Sequence, residues 1–237
     1  MVGEGNSERH AVGHHQGRIL SNRVLKGSER RAADYPVDPL FVDRWSPRAM
    51  AGEPISADEL FVLFEAARWA PSSGNLQPWR MLYAHRDTPE WPTFFGLLKE
   101  SNQTWCRNAA VLVVVASQQT NSRTGAALKT HSYDTGAAWQ NIALQGSRSG
   151  LVVHGMAGFD YDLARERLQI PETWRVEAMI AIGRPGPVEG LSESLQARET
   201  PSQRHPVTSF VFEGVWSDRG VKPSSEFPIT APRDSSR

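Results

Sequence analysis

Apolar side chains change their spacing repeatedly along the 237-residue chain, and each change predicts an element. Ser56-Ala57-Asp58-Glu59 forms a capping box, in which the serine hydroxyl caps the first turn and Glu59 reaches back. Leu60, Phe64 and Ala67 follow at helical spacing with Phe61 beside them, and Pro71 ends the helix. Arg80–Ala84 reads as a strand and Thr93–Ser101 as a short helix. Val111–Ala116 is a near-continuous, mostly β-branched run that suits a strand covered on both faces. Asp134–Ser149 reads as a second strong helix, Leu151–His154 as a short strand, and Asp160–Leu168 as a helix with Asp160 as its N-cap. Val176–Ile182 predicts a strand and Thr208–Phe212 a last one. Strands interleaved with helices predict one α/β or α+β domain over residues 35–216.

The chain ends read differently. Residues 1–34 are polar and poor in large apolar side chains, so they cannot offset their own ordering entropy and are expected to form a flexible arm. His10, His14 and His15 lie there and read as part of a tail rather than as a metal tuft. Residues 217–237, rich in Ser, Pro and charge, read as a second tail.

Composition narrows the function classes. Lys plus Arg total 26, as do Asp plus Glu, so the formal net charge is zero. Such a chain has no general electrostatic footprint for nucleic acid or anionic membrane, and neither partner is expected. Its single cysteine, Cys106, allows no intrachain disulfide and suits a reducing cytoplasm. Met1–Gln16 has no apolar core of a secretory signal. The longest apolar run, Ala109–Ala116, falls far short of the ~20 residues of a membrane span. A cytoplasmic location is therefore expected.

Four segments carry candidate chemistry. In Arg44-Trp45-Ser46-Pro47-Arg48, Pro47 disfavours helix, and an extended course would turn Arg44, Ser46 and Arg48 to one face. Two guanidinium forks flanking a hydroxyl make an oxyanion or phosphate clamp; alone, the segment reads equally as a solvated basic stretch. Ala70-Pro71-Ser72-Ser73-Gly74-Asn75-Leu76-Gln77-Pro78-Trp79 joins a helix to a strand. Its hydroxyls and carboxamides fit either a turn or a rigid loop facing a polar heteroaromatic ligand. In His154-Gly155-Met156-Ala157-Gly158-Phe159-Asp160, the glycines permit close backbone approach, and exposed amides could donate to a ring nitrogen. A plain strand-to-helix turn is the other reading. Arg204-His205-Pro206 means nothing by itself.

In order along the chain, these segments resemble the nitroreductase family of flavoproteins. The Ala70–Trp79 string is the specific part. Arg44, Ser46 and Arg48 form the early basic motif, and the stretch from Asn102 to Ala109, Asp134-Thr135-Gly136-Ala137-Ala138, Met156–Asp160 and Arg204-His205-Pro206 complete the set. The resemblance covers roughly residues 36 to 216 and implies a homodimeric α+β sandwich: a mostly antiparallel central sheet flanked by helices, with FMN sites at the subunit interface. It implies that Arg44, Ser46, Arg48 and Arg204 hold the phosphate, ribityl chain and pyrimidine edge of FMN, and that Ser72, Ser73 and Asn75 come from the partner subunit. Asn102 would contact the flavin edge, and the amides near Ala157 and Gly158 would face N5 and O4. Gly136, Ala137 and Ala138 would let central helices pack closely across the dimer. Two positions depart from the pattern: Ala157, where many members are acidic, and Ser202, where many carry lysine.

The implied activity is an FMN-dependent oxidoreductase that passes hydride from NAD(P)H to a small oxidised acceptor (a nitroaromatic, quinone or enone) by ping-pong chemistry. No side-chain nucleophile is required, because the flavin carries the chemistry. No Rossmann glycine fingerprint is present, so the nicotinamide would stack on the flavin. Alternatives are an oxidative flavin dehydrogenase or oxidase on the same fold, and a non-catalytic flavin-binding protein. Trp105, Met156 and Phe159 fit a substrate pocket or the core equally well. Gly146-Ser147-Arg148-Ser149-Gly150 has Arg at its centre, so it fails the nucleophile-elbow pattern of serine hydrolases.

Overall fold

A computed structural model describes residues 25–216. Four strands, β1 (Trp79–His85), β2 (Val111–Gln118), β3 (Val152–Met156) and β4 (Trp174–Gly183), form one sheet in the order β1-β2-β4-β3, with every neighbouring pair antiparallel. The helices are α1 (Pro39–Asp43), α2 (Ala57–Arg68), α3 (Trp91–Gly96), α4 (Glu100–Cys106), α5 (His131–Arg148), α6 (Tyr161–Arg167) and α7 (Glu193–Gln196).

Strand β2 explains the architecture. Its side chains alternate between two apolar layers, as the twofold period of a strand requires. Leu112, Val114 and Ala116 join Phe94, Leu97, Trp105, Cys106 and Phe159 on one face. Val111, Val113 and Val115 join Leu60, Leu63, Ala138 and Ile142 on the other. Helices cover both faces, so the molecule is an α+β sandwich whose central strand is buried along nearly its whole length. The expected double covering of this run is therefore present, on an antiparallel sheet.

The longer helices start and stop where their sequences dictate. Ser56 accepts from the Glu59 N–H at 3.2 Å while the Glu59 carboxylate accepts from the Ser56 N–H at 2.9 Å, closing the capping box. Asp160 caps α6 through the Leu163 N–H at 2.9 Å.

Three expectations need correction. The helix foreseen over 93–101 is two helices, α3 and α4, separated at Leu97–Lys99. There the backbone pairs with a distant segment instead: the Asp160 N–H donates to the Leu97 carbonyl at 2.9 Å and the Lys99 N–H to the Gly158 carbonyl at 3.1 Å. The foreseen strand at 208–212 is a single 3-10 turn, Val207–Ser209. Its backbone is satisfied locally and by Asp34, whose carboxylate accepts from the Val207 N–H at 2.9 Å, so no ladder forms.

Residues 25–34, grouped by composition with the arm, lie against the domain. Gly27 is buried, and a Cβ there would fall 1.8 Å from the Val42 carbonyl oxygen. The Gln203 amide donates to the Arg30 carbonyl at 2.6 Å, so this segment and the chain near Gln203 run together. The rest of the arm, with its three histidines, and the tail from 217 lie outside the described residues.

Candidate functional site

Helix α1 ends at Asp43, and the chain leaves it extended at Arg44 (φ −66°, ψ 125°). Arg44, Ser46 and Arg48 face one space, although Trp45 between them reaches it too. The Arg44 guanidinium donates to the Ser46 hydroxyl at 3.2 Å, and Arg44, Ser46 and Arg48 line one cavity of about 330 Å³. Arg204, far downstream, lines it as well, together with Arg31, Arg198, Ser202 and Thr200. Five arginines from three stretches of chain thus converge on one small space.

Their charges are not evenly balanced. Glu199 is the carboxylate that reaches in. Its Oε1 accepts from the Arg48 and Ala49 N–H groups at 2.5 and 2.8 Å, and its Oε2 lies 3.6 Å from the Arg48 guanidinium. Among the described residues no carboxylate lies within 4 Å of Arg31, Arg44 or Arg204. Burial, then the charges of Arg204 and Arg44, pull the Arg31 pKa down to about 10. Burial and Arg204 lower that of Arg44. Guanidinium remains protonated at neutral pH, so the site is a cluster of positive charge with Glu199 as its one carboxylate among the described residues.

His154, on β3, forms part of the wall. Its Nδ1 lies 2.8 Å from the Pro47 carbonyl, which fixes Nδ1–H as the donor and leaves Nε2 an acceptor. Burial drives its pKa down to about 4, against the opposing pull of the Pro47 bond, so the ring is neutral at pH 7. Its other neighbour is Trp105, with ring centroids 4.7 Å apart.

That indole leads to the next group. Trp105 Nε1 donates to Asn102 Oδ1 at 3.2 Å, and Asn102 Nδ2 donates to the Gly158 carbonyl at 2.9 Å. A Cβ on residue 158 would come within 2.6 Å of Asn102 Nδ2, which is why glycine is required there. The Nδ2 end of the Asn102 amide holds the turn after β3, while its Oδ1 end is held by Trp105 within α4. Ala157 is exposed on that turn. Among the described residues, the N–H groups of Ala157 and Gly158 donate to no backbone carbonyl outside the regular elements. Trp105, Met156 and Phe159 are core residues, each less than a tenth exposed.

The loop after α2 is held from within and from α5. Gly74, Asn75 and Gln77 take positive φ values of 57°, 53° and 49°. The Gln77 N–H donates to the Ser72 hydroxyl at 3.0 Å, and its side-chain amide to Asn75 Oδ1 at 3.1 Å. Buried Asp134, in the first turn of α5, accepts from the Ser73 N–H at 3.1 Å and the Thr130 hydroxyl at 3.0 Å. Within one chain Ser72, Ser73 and Asn75 do not line the arginine cavity, and neither do Asn102, Ala157 or Gly158. On α5, Ala138 is spent in the domain's own core, whereas Gly136 is open.

Sequence reasoning missed Arg31, Arg198 and Glu199. Arg31 was hidden in a segment assigned to the arm, and Arg198-Glu199 belongs to no pattern; only tertiary contact reveals them. Ser202, which departs from the family pattern, lines the cavity, and its carbonyl accepts from Arg31.

Comparison with known proteins gives a consistent result. Residues 42–184 match the Nitroreductase family. A solved structure described as an oxidoreductase containing FMN is 44% identical, with a TM-score of 0.77, and the alignment covers 81% of this chain and 99% of that one. A putative nitroreductase in complex with FMN from Desulfovibrio desulfuricans has the same fold: it is 23% identical over 77% of this chain and 100% of that one, with a TM-score of 0.59. An uncharacterized 15.4 kDa protein from the ask 5′ region of Mycolicibacterium smegmatis is 28% identical over 127 residues, 53% of this chain and 84% of that protein.

Proposed function

Because the chain belongs to the nitroreductase family, we propose that it is a cytoplasmic, homodimeric, FMN-dependent oxidoreductase that passes hydride from NAD(P)H to a small oxidised acceptor such as a nitroaromatic, quinone or enone. The observation that carries the reading is the cavity where Arg31, Arg44 and Arg204 meet without a counter-ion. A cluster of like charge in one cavity is stabilised by a multivalent anion, and the terminal phosphate of FMN supplies one. The residues present therefore fit the cofactor. The 44% identical structure, described as containing FMN, supports the same assignment.

In this reading Arg44 and Arg204 grip the phosphate and the Ser46 hydroxyl, oriented by Arg44, adds a polar contact. Arg48, neutralised in part by Glu199, faces the polar edge of the ring system. The amides of Ala157 and Gly158 are free to donate to the ring, and Asn102 positions them by holding the Gly158 carbonyl. Asn102 would thus position the turn, and its second N–H and second lone pair remain to meet the flavin edge. Ser72, Ser73 and Asn75, which do not line this cavity in one chain, would complete the site of the partner subunit. Bound FMN would supply the centre that alternately accepts and donates hydride in a ping-pong cycle.

Anaerobic mixing of FMN-loaded protein with NADH and with NADPH tests the reductive assignment. Rapid bleaching of the visible flavin band by at least one nucleotide is expected. Flavin that neither nucleotide reduces would refute it.

A further inference from the structure

Arg31 lies outside the stretch that matches the family, yet it lines the arginine cavity. Its Nε donates to the Ser202 carbonyl at 2.7 Å. Its Nη1 donates to the carbonyls of Val42 and Arg44 at 3.1 and 3.0 Å. One guanidinium thus clips together the two segments that carry Arg44 and Arg204. Its remaining amino group, Nη2, has no partner among the described residues, although the side chain lines the cavity.

A simple brace between carbonyls does not need this placement. Bringing a third guanidinium beside two others costs Coulomb energy, and the neighbours named above provide no carboxylate to offset it. A neutral donor could hold the same carbonyls without that cost. The cost is recovered only if an anion enters, and a planar fork with one free edge is suited to meet a phosphate oxygen. Gly27 fixes the segment: its Cα packs directly on the Val42 carbonyl, leaving no room for a side chain, and so sets the position from which Arg31 reaches in.

We propose that Arg31 is a phosphate-contacting residue of this site and that the segment from Gly27 to Arg31 confers selectivity for phosphorylated over unphosphorylated flavin. The inference rests on the FMN reading above. It assigns Arg31 a double role: it holds the Arg44 and Ser202 carbonyls with two nitrogens and the anion with the third.

The test is equilibrium binding of FMN and of riboflavin to the wild type and to Arg31→Gln. A second arm measures the shift in melting temperature produced by inorganic phosphate alone. Loss of one charge-assisted contact predicts FMN weakened by about 10- to 150-fold. Riboflavin affinity should change by less than about twofold, since it lacks the charge that the contact serves. Stabilisation by phosphate should be present in the wild type and clearly smaller in the variant. Equal losses for both flavins would overturn the proposal, as would unchanged affinity for both, and so would a selective FMN loss with phosphate stabilisation left as in the wild type. If Arg31→Gln does not fold, Arg31→Lys is read by the same criterion with a smaller selective loss. A wild type that ignores FMN would sink the flavin reading separately; the phosphate arm would then decide Arg31 by itself.

Discussion

The arginine cavity and the loop Ser72–Gln77 are assigned to the same ligand, yet they are built on opposite principles. The loop is internally complete: its hydroxyl and amide groups bond one another, and Asp134 anchors it to α5. The cavity is internally incomplete: five guanidiniums line one space, and the single carboxylate that reaches in is committed to Arg48. A region that satisfies itself keeps its shape alone and can be presented to a neighbour. One that leaves like charges facing each other is stabilised by something from outside. The contrast accounts for why the two do not meet in one protomer and predicts that they fail differently when altered.

The largest effect is expected in the cavity. Arg44→Ala combined with Arg204→Ala removes two of the uncompensated charges. FMN affinity should fall by about 100-fold or more, each contact being worth about 1.5–3 kcal/mol. The ligand-free protein should melt no lower than the wild type, because like-charge repulsion is relieved. A melting temperature that drops in step with affinity would break the comparison.

The loop should show the reverse balance. Asp134→Ala strips the acceptor from the Ser73 N–H and the Thr130 hydroxyl at a buried position, which costs about 1–3 kcal/mol of stability. FMN affinity should fall too, but through the partner's site. Mixing this variant with the double arginine variant sharpens the point. If the proposed dimer forms, one site of a mixed dimer would draw its arginines from one protomer and its loop from the other, so about a quarter of all sites should regain binding after random exchange. No recovery on mixing would place the loop away from the flavin.

Much of this was legible in the sequence wherever the governing physics is local or strictly periodic. The capping box at Ser56 was readable because its two bonds lie within one turn. The double-faced burial of β2 was readable because an unbroken run of Val, Leu and Ala leaves no polar face. The common orientation of Arg44, Ser46 and Arg48 followed from Pro47 forcing an extended course. What escaped depends on distant partners. The break between α3 and α4 is made by backbone bonds to residues 158 and 160. The segment Thr208–Phe212 reads as β-forming, but the chain there turns at Val207–Ser209, with the Asp34 carboxylate holding the Val207 N–H. Arg31 looked like one more charge in a polar arm, because a tertiary role leaves no mark on composition.

The central claim, that the arginine cavity holds FMN, is tested most directly by the visible spectrum of the purified protein together with identification of the flavin it releases on denaturation. The account predicts a yellow protein, or a colourless one that turns yellow and retains added FMN, and a released flavin that is FMN rather than FAD. A colourless protein that does not take up FMN, or one that releases FAD, would contradict it.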